Sequence, residues 1–297
     1  MPHQHGSAAA RSRRRLTAVL GLSLVVLVIE AAGAYASNSL ALAADAGHML
    51  TDVAGISLAL IAIWFAGRAP TAGRTFGYLR FEILAATVNA VLLLGVAAFI
   101  VLQAWQRLAA PPEVGSGLML GVALIAIAAN AASMYLLRDA QRDSLNLRGA
   151  YLEVMGDFVG SGAVIAAALA IALAGWTPAD AAASVLIALL MVPRTVALLR
   201  EATDVLLEAT PKGVDMDHVR RHILDAPGVI DCHDLHAWTI TSGLNVVSAH
   251  VILAEGADPA HTLDALCECL SDDFDIEHST FQLETADRRR LEQRSHA

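Results

Sequence analysis

Charge is scarce in this chain. Only 16% of its 297 residues are charged, against about 25% in soluble globular domains. With 56% hydrophobic residues and a mean hydropathy of +0.55, that scarcity excludes a soluble globular protein and indicates several membrane spans. Lysine is almost missing: Lys212 is the only one, so arginine carries the positive charge. Cysteine is rare, with Cys232, Cys267 and Cys269 all in the C-terminal part. An odd number without a framework spacing argues against disulfides and fits a reducing compartment. No His-Glu-x-x-His pattern occurs, so the usual sequence mark of a zinc hydrolase is absent.

The charge that is present lies unevenly. Residues 1–207 hold 13 basic and 12 acidic residues, whereas 208–297 hold 7 and 17. The asymmetry marks a second, soluble, acidic domain. Such a domain suits cation handling and argues against nucleic acid as a partner.

Residues 1–15, with a cluster of four arginines, read as a disordered cytoplasmic tail. A signal peptide is the rival reading, but the apolar run continues to about Tyr35 without a small-residue cleavage pattern. Six apolar segments follow: Leu16–Ala36, Ala41–Gly67, Phe81–Trp105, Gly117–Leu137, Ser144–Ala174 and Pro178–Leu199. Each is near the ~20 residues that cross a bilayer. A six-span transmembrane domain is therefore expected over 16–207. Arginines cluster in the N-terminal tail, at Arg68, Arg74 and Arg80, and at Arg138, Arg142 and Arg148, while the alternate loops hold only Arg107. By the positive-inside rule both termini are cytoplasmic, and the bilayer is the protein's permanent partner.

Beyond Thr210-Pro211 the period changes. Asp215–Asp225 and Pro259–Leu270 read as helices, and Val229–Ile240, Leu244–Leu253 and Ile276–Leu283 as strands. The order α-β-β-α-β predicts a small α+β domain over 208–286. The charged residues 287–297 read as a frayed end.

Four ionisable residues stand out within the apolar segments. His48 and Asp52 are four apart, and so are Glu153 and Asp157. On a helix that spacing puts both members of a pair on one face, a turn apart. Asp45 lies near the same face as His48 and is a possible accessory. Ionisable side chains in a span are costly to bury and mark function by default. No Lys or Arg lies in the middle of either span, so a divalent cation or protons must neutralise the acids. One imidazole and three carboxylates suit zinc, disfavour copper(I), and discriminate weakly among zinc, cobalt, iron(II), manganese and cadmium. Metal entering such a set displaces protons, and metal leaving readmits them. H⁺ is thus the expected counter-ion. Gly156 and Gly160 beside Asp157 read as helix-packing positions.

Several motifs together resemble the cation diffusion facilitator family. They are Asn38–Leu42 with Ala44–Asp52, Phe76–Ala86, Arg148–Asp157 and His233–Gly243. The resemblance covers about Leu16 to Glu284. It implies a six-helix transmembrane bundle with a ferredoxin-like cytoplasmic domain, a homodimer, and efflux of Zn²⁺ in exchange for H⁺ rather than enzymatic activity. It also implies a multi-pass protein of the cell membrane. Regulatory zinc would bind the tail domain through His233, His250 and His278, with His261 as a bridge. Glu284 is a weaker ligand candidate. A charge interlock is implied between Arg80 and Asp204 or Glu208.

Two features depart from the family pattern. Zinc members carry His where this chain has Glu153, which shifts the expected preference toward harder ions. Thr71, Arg74 and Tyr78 occupy loop positions where some members hold a further metal, and none is a good ligand. An intramembrane metalloenzyme would need an open coordination position, and a metal sensor would not need ligands at bilayer depth.

Overall fold

The computed structural model describes residues 5–138, 145–274, 276 and 278–288. In chain order these form α1 (His5–Ser37), α2 (Leu40–Ala66), α3 (Phe81–Ala109), α4 (Ser116–Leu137), α5 (Leu145–Ala174), α6 (Pro178–Leu206), α7 (Met216–Asp225), β1 (Val229–Thr241), β2 (Leu244–Leu253), α8 (Pro259–Phe274) and β3 (His278–Glu284). Among the described residues, five helices contain segments long and apolar enough to cross a bilayer: Thr17–Ser37, Phe81–Ala109, Ser116–Leu137, Ala150–Ala174 and Pro178–Leu206. Helix α2 supplies the sixth, with 27 residues of which only Asp45, His48 and Asp52 are ionisable.

Helix α1 begins at His5, inside the stretch 1–15 expected to be disordered. Ala8, Ala9, Ala10 and the arginines are strong helix formers, and a helix propagates cheaply from an existing nucleus. The charged end expected over 287–297 is described only as far as Arg288.

The chain divides into two compact units. One holds the residues up to Leu58 together with Val88–Leu198, and the other holds Ala59–Thr87 with the residues from Leu199 onward. In the first unit α4 packs against α5 and α1. Its core is rich in small side chains, among them Ala41, Ala44, Ala97, Ala123 and Ala168, which let helix backbones approach. At Gly33 a Cβ would stand 2.6 Å from Val122 Cγ2. Large apolar side chains such as Leu102, Trp105 and Leu173 are exposed, as a lipid surrounding requires.

The α1–α2 turn is closed by a left-handed residue, Asn38 at φ 56°. The Ser39 amide donates back to the Ala34 carbonyl, a Schellman closure. Asp180, in the first turn of α6, caps α2. Its buried carboxylate accepts from Ser39 Oγ at 2.6 Å, Leu40 N at 2.8 Å and Ala41 N at 3.1 Å. Arg107 Nη1 is 3.4 Å away. The α2 N-terminus attracts an anion, and that attraction outweighs sequence proximity.

In the second unit Asp215 caps α7 by accepting from the Asp217 and His218 amides. The sheet order is β1-β2-β3. Strands β1 and β2 are antiparallel, and β2 and β3 are parallel with α8 as the crossover. Val219 and Ile223 of α7 and Leu266 and Leu270 of α8 cover Cys232, Val247, Ala249 and Val251 on one sheet face. The period of two along a strand then puts His233 and His250 on the opposite face. The elements follow the α-β-β-α-β reading. Helix α8 runs past Leu270 to Phe274, and Ile276 packs in the core ahead of β3.

Candidate functional site

Helix geometry sets His48 one turn above Asp52, and α5 brings Asp157 to the same place. His48 Nε2 is 3.5 Å from Asp52 Oδ2 and 3.8 Å from Asp157 Oδ1. One donor atom from each of these residues lies within 4.8 Å of the other two. A tetrahedral zinc site with bonds of ~2.0–2.1 Å has donor–donor edges of roughly 3.3 Å, so small adjustments close the cluster on an ion. Asp157 Oδ1 is buried without a hydrogen-bond partner. A buried carboxylate oxygen without a donor is costly, and a cation removes that cost.

Glu153, the fourth expected ligand, is not in this three-residue group. Arg194 Nη2 of α6 lies 3.9 Å from its Oε1. Sequence reasoning looked for a cation on the two acid-bearing helices and missed one on a third. The available signal was an arginine directly after Pro193 inside an apolar helix.

Asp45, the expected accessory, is not in the three-residue group. Ser161 Oγ donates to its Oδ2 at 3.4 Å, and Asn130 Nδ2 donates to Ser161 Oγ at 3.5 Å. Glu30 of α1 is buried too. Gly160 makes room for the Asp45 carboxyl group: a Cβ there would be 3.1 Å from Asp45 Oδ1. The packing role read for Gly160 thus serves an acid beside the cluster.

In the C-terminal unit β1 and β2 pair His233 directly with His250. Glu284 of β3 completes a second cluster with them. His250 Nδ1 is 3.0 Å from Glu284 Oε1, and His233 Nε2 is 3.8 Å from Glu284 Oε2. Two expected ligands lie elsewhere. His278 pairs with Val246 at the far end of β3 and sets its ring 5.7 Å from that of Phe76. His261 is exposed near the start of α8. Glu284, the weaker candidate, takes their place because the parallel register carries it opposite Ile252.

The interlock contains Glu208 and not Asp204. Arg80 Nη2 is 2.9 Å from Glu208 Oε1, whereas Asp204 is exposed and uses its backbone carbonyl to accept from Ala209. Glu82 adds a contact not anticipated from sequence. Its carboxylate accepts from Thr241 Oγ1 and, at 2.9 Å, from Ser242 Oγ in the β1–β2 turn. In the loop, Arg74 lies over the Tyr78 ring.

A helical membrane bundle with a nitrogen and oxygen cluster between two of its helices, followed by a small α+β domain with a His233–His250–Glu284 cluster, defines a membrane metal-cation transporter. The chain belongs to the cation diffusion facilitator, or cation efflux, family. Residues 16–207 match the cation efflux transmembrane domain, and 211–286 match the cation efflux protein cytoplasmic domain. The metal cation efflux system protein CzcD of Cupriavidus metallidurans is 45% identical over 96% of this chain and 89% of its own. The zinc transporter ZitB of Escherichia coli is 38% identical over 96% and 93%. The cadmium, cobalt and zinc/H(+)-K(+) antiporter of Bacillus velezensis is 37% identical over 96% and 93%. A solved metal-bound C-terminal domain of CzcD is 42% identical over 24% of this chain and 99% of that one, with a TM-score of 0.23. The protein is a multi-pass transporter for divalent metal cation efflux and not an enzyme.

Proposed function

We propose that the protein exports Zn²⁺ from the cytoplasm in exchange for H⁺, with His48, Asp52 and Asp157 holding the ion and Glu153 joining as fourth ligand. The observation that carries this reading is the position of His48 Nε2, 3.5 Å from Asp52 and 3.8 Å from Asp157. Three carboxylates in a low-dielectric site cannot stay charged after the metal leaves, so protons return as it departs. Helices rocking about a site within the bundle give alternating access. Because Glu153 replaces the usual histidine, Co²⁺, Cd²⁺, Fe²⁺ or Mn²⁺ is the alternative cargo.

The alternation of arginine-rich and arginine-poor loops supports cytoplasmic termini in the cell membrane. The match of residues 211–286 to a cytoplasmic domain described as part of cation efflux proteins fits this orientation. We assign a regulatory zinc to His233, His250 and Glu284. Glu284 Oε2 is a buried acceptor without a hydrogen-bond partner, which suits a cation. A homodimer through this domain would leave His261 and His278, both exposed, available at the contact.

The test is transport in reconstituted vesicles with Zn²⁺, Cd²⁺, Co²⁺, Fe²⁺ and Mn²⁺, with and without a pH gradient. Asp52→Ala and Asp157→Ala are expected to abolish transport of every ion, and Glu153→His to raise the preference for zinc over manganese. Metal movement that ignores the pH gradient would overturn the antiport reading. An unchanged metal order in Glu153→His would overturn the role of residue 153.

A further inference from the structure

Away from the sheet face that carries His233 and His250, the two helices of the C-terminal domain bring a different donor set together. Helix α7 carries His218 and His222, four apart, and α8 carries Cys269 and Asp273, also four apart. Each pair therefore lies on one helix face, a turn apart. His222 Nδ1 is 3.3 Å from Cys269 Sγ and 3.2 Å from Asp273 Oδ2. Cys269 Sγ is 3.9 Å from Asp273 Oδ2. These three donor atoms all lie within 4.8 Å of one another.

We infer that His222, Cys269 and Asp273 form a further divalent-cation site, selective for borderline ions of the zinc, cadmium and cobalt class. The three donor separations are close to the edges of a tetrahedron built from zinc bonds of ~2.0–2.1 Å to nitrogen and oxygen and ~2.3 Å to sulfur. Thiolate, imidazole and carboxylate together favour borderline cations over magnesium or calcium. His218 has a separate role. Its Nε2 is 2.9 Å from His222 Nε2, on the side of the ring away from Cys269 and Asp273. A proton on His222 Nε2, donated to His218, leaves the Nδ1 lone pair facing the site. Metal-bound histidines are commonly oriented in this way by the hydrogen bond of the second nitrogen. Phe274 fixes both rings from one side, with centroids 5.2 Å from His218 and 5.1 Å from His222.

Three protein ligands leave one tetrahedral position to water, so the bound ion exchanges with solvent. Half-exposed Asp273 and partly exposed His222 and Cys269 make the position reachable from the aqueous side. The alternative is a polar seam that only fastens α7 to α8. The inference stands apart from the transport reading, because it shares no residue with the intramembrane cluster or with His233, His250 and Glu284.

Cobalt distinguishes the two, since a thiolate bound to Co²⁺ gives a charge-transfer absorption in the near ultraviolet that nitrogen and oxygen ligands do not. The other thiols face elsewhere. Cys232 is buried in the core, where desolvation pushes its thiol pKa up despite Arg220 nearby. Cys267 accepts from Ser279 Oγ at 3.5 Å. Full-length protein in detergent, titrated with Co²⁺, is expected to show the band and to lose it on adding Zn²⁺. Cys269→Ser and His222→Ala are expected to abolish it, and Cys267→Ser to leave it intact. His218→Ala should keep the band while weakening cobalt binding about tenfold. Absence of the band from the wild-type protein, or its survival in Cys269→Ser, would overturn the assignment. Cys269→Ser changes a single atom, so its result holds even if His222→Ala fails to fold.

Discussion

Arg194 Nη2 stands 3.9 Å from Glu153 Oε1, so the acid that departs from the zinc-transporter pattern has a cation of its own. In the proposed four-ligand site, metal and guanidinium compete for one carboxylate. Removing the competitor in Arg194→Gln is expected to tighten metal binding at the intramembrane site. The pair is partly exposed, with side-chain exposures of 65% and 32%, and such pairs contribute about 1 kcal/mol or less. The expected gain is therefore no more than roughly fivefold in Kd. Competition against a metal-sensitive dye with purified protein measures it, and weaker binding in the variant would refute the competition.

Asp180 holds the start of α2, the helix that carries His48 and Asp52. Replacing it by alanine strips acceptors from Ser39 Oγ and from the Leu40 and Ala41 amides, and leaves Arg107 without its carboxylate. A lost cap and unpaired buried donors together cost on the order of 2–4 kcal/mol. Asp180→Ala is expected to lower the Tm in detergent, with Asp180→Asn intermediate because an amide oxygen still accepts. Equal Tm values for Asp180→Ala and wild type would remove the capping role.

Two glycines on α1 give opposite expectations. At Gly33 an added Cβ meets Val122 Cγ2 at 2.6 Å, whereas at Gly21 nothing lies within 4 Å. Val122 is β-branched and stiff, so Gly33→Ala should destabilise by about 1–3 kcal/mol through overpacking. Gly21→Ala should stabilise slightly, by up to roughly 1 kcal/mol of helix propensity. Paired thermal melts decide between the two signs.

The interlock should be weak by itself. Arg80 and Glu208 are exposed by 37% and 58%, so a double-mutant cycle with Arg80→Ala and Glu208→Ala is expected to give a coupling of about 0.2–1 kcal/mol. The coupling should shrink at high salt. Glu82, whose carboxylate has two hydroxyl donors, should matter more to the stability of the C-terminal unit. Melts of Glu82→Ala and Glu208→Ala rank the two.

The parts legible from sequence were those written in spacing. Four-residue intervals placed His48 with Asp52, whereas His233 and His250 were brought together by the family resemblance. What escaped depended on registers between distant segments. Glu284 joined the C-terminal cluster and His278 did not because β3 pairs in parallel with β2, and no local pattern fixes that offset. Arg194 escaped for a related reason: which face of α6 meets α5 is decided by packing. The first residues of α1 were misread because their composition, polar and basic, masks a high helix propensity.

One consequence follows from the atoms in the intramembrane cluster. His48, Asp52 and Asp157 present nitrogen and oxygen only, while every thiol of the chain lies at Cys232 or beyond. Peroxide and disulfide stress convert sulfur and leave imidazole and carboxylate untouched. Thiol oxidation and disulfide exchange can thus reach this protein only through Cys232, Cys267 and Cys269 of its C-terminal domain.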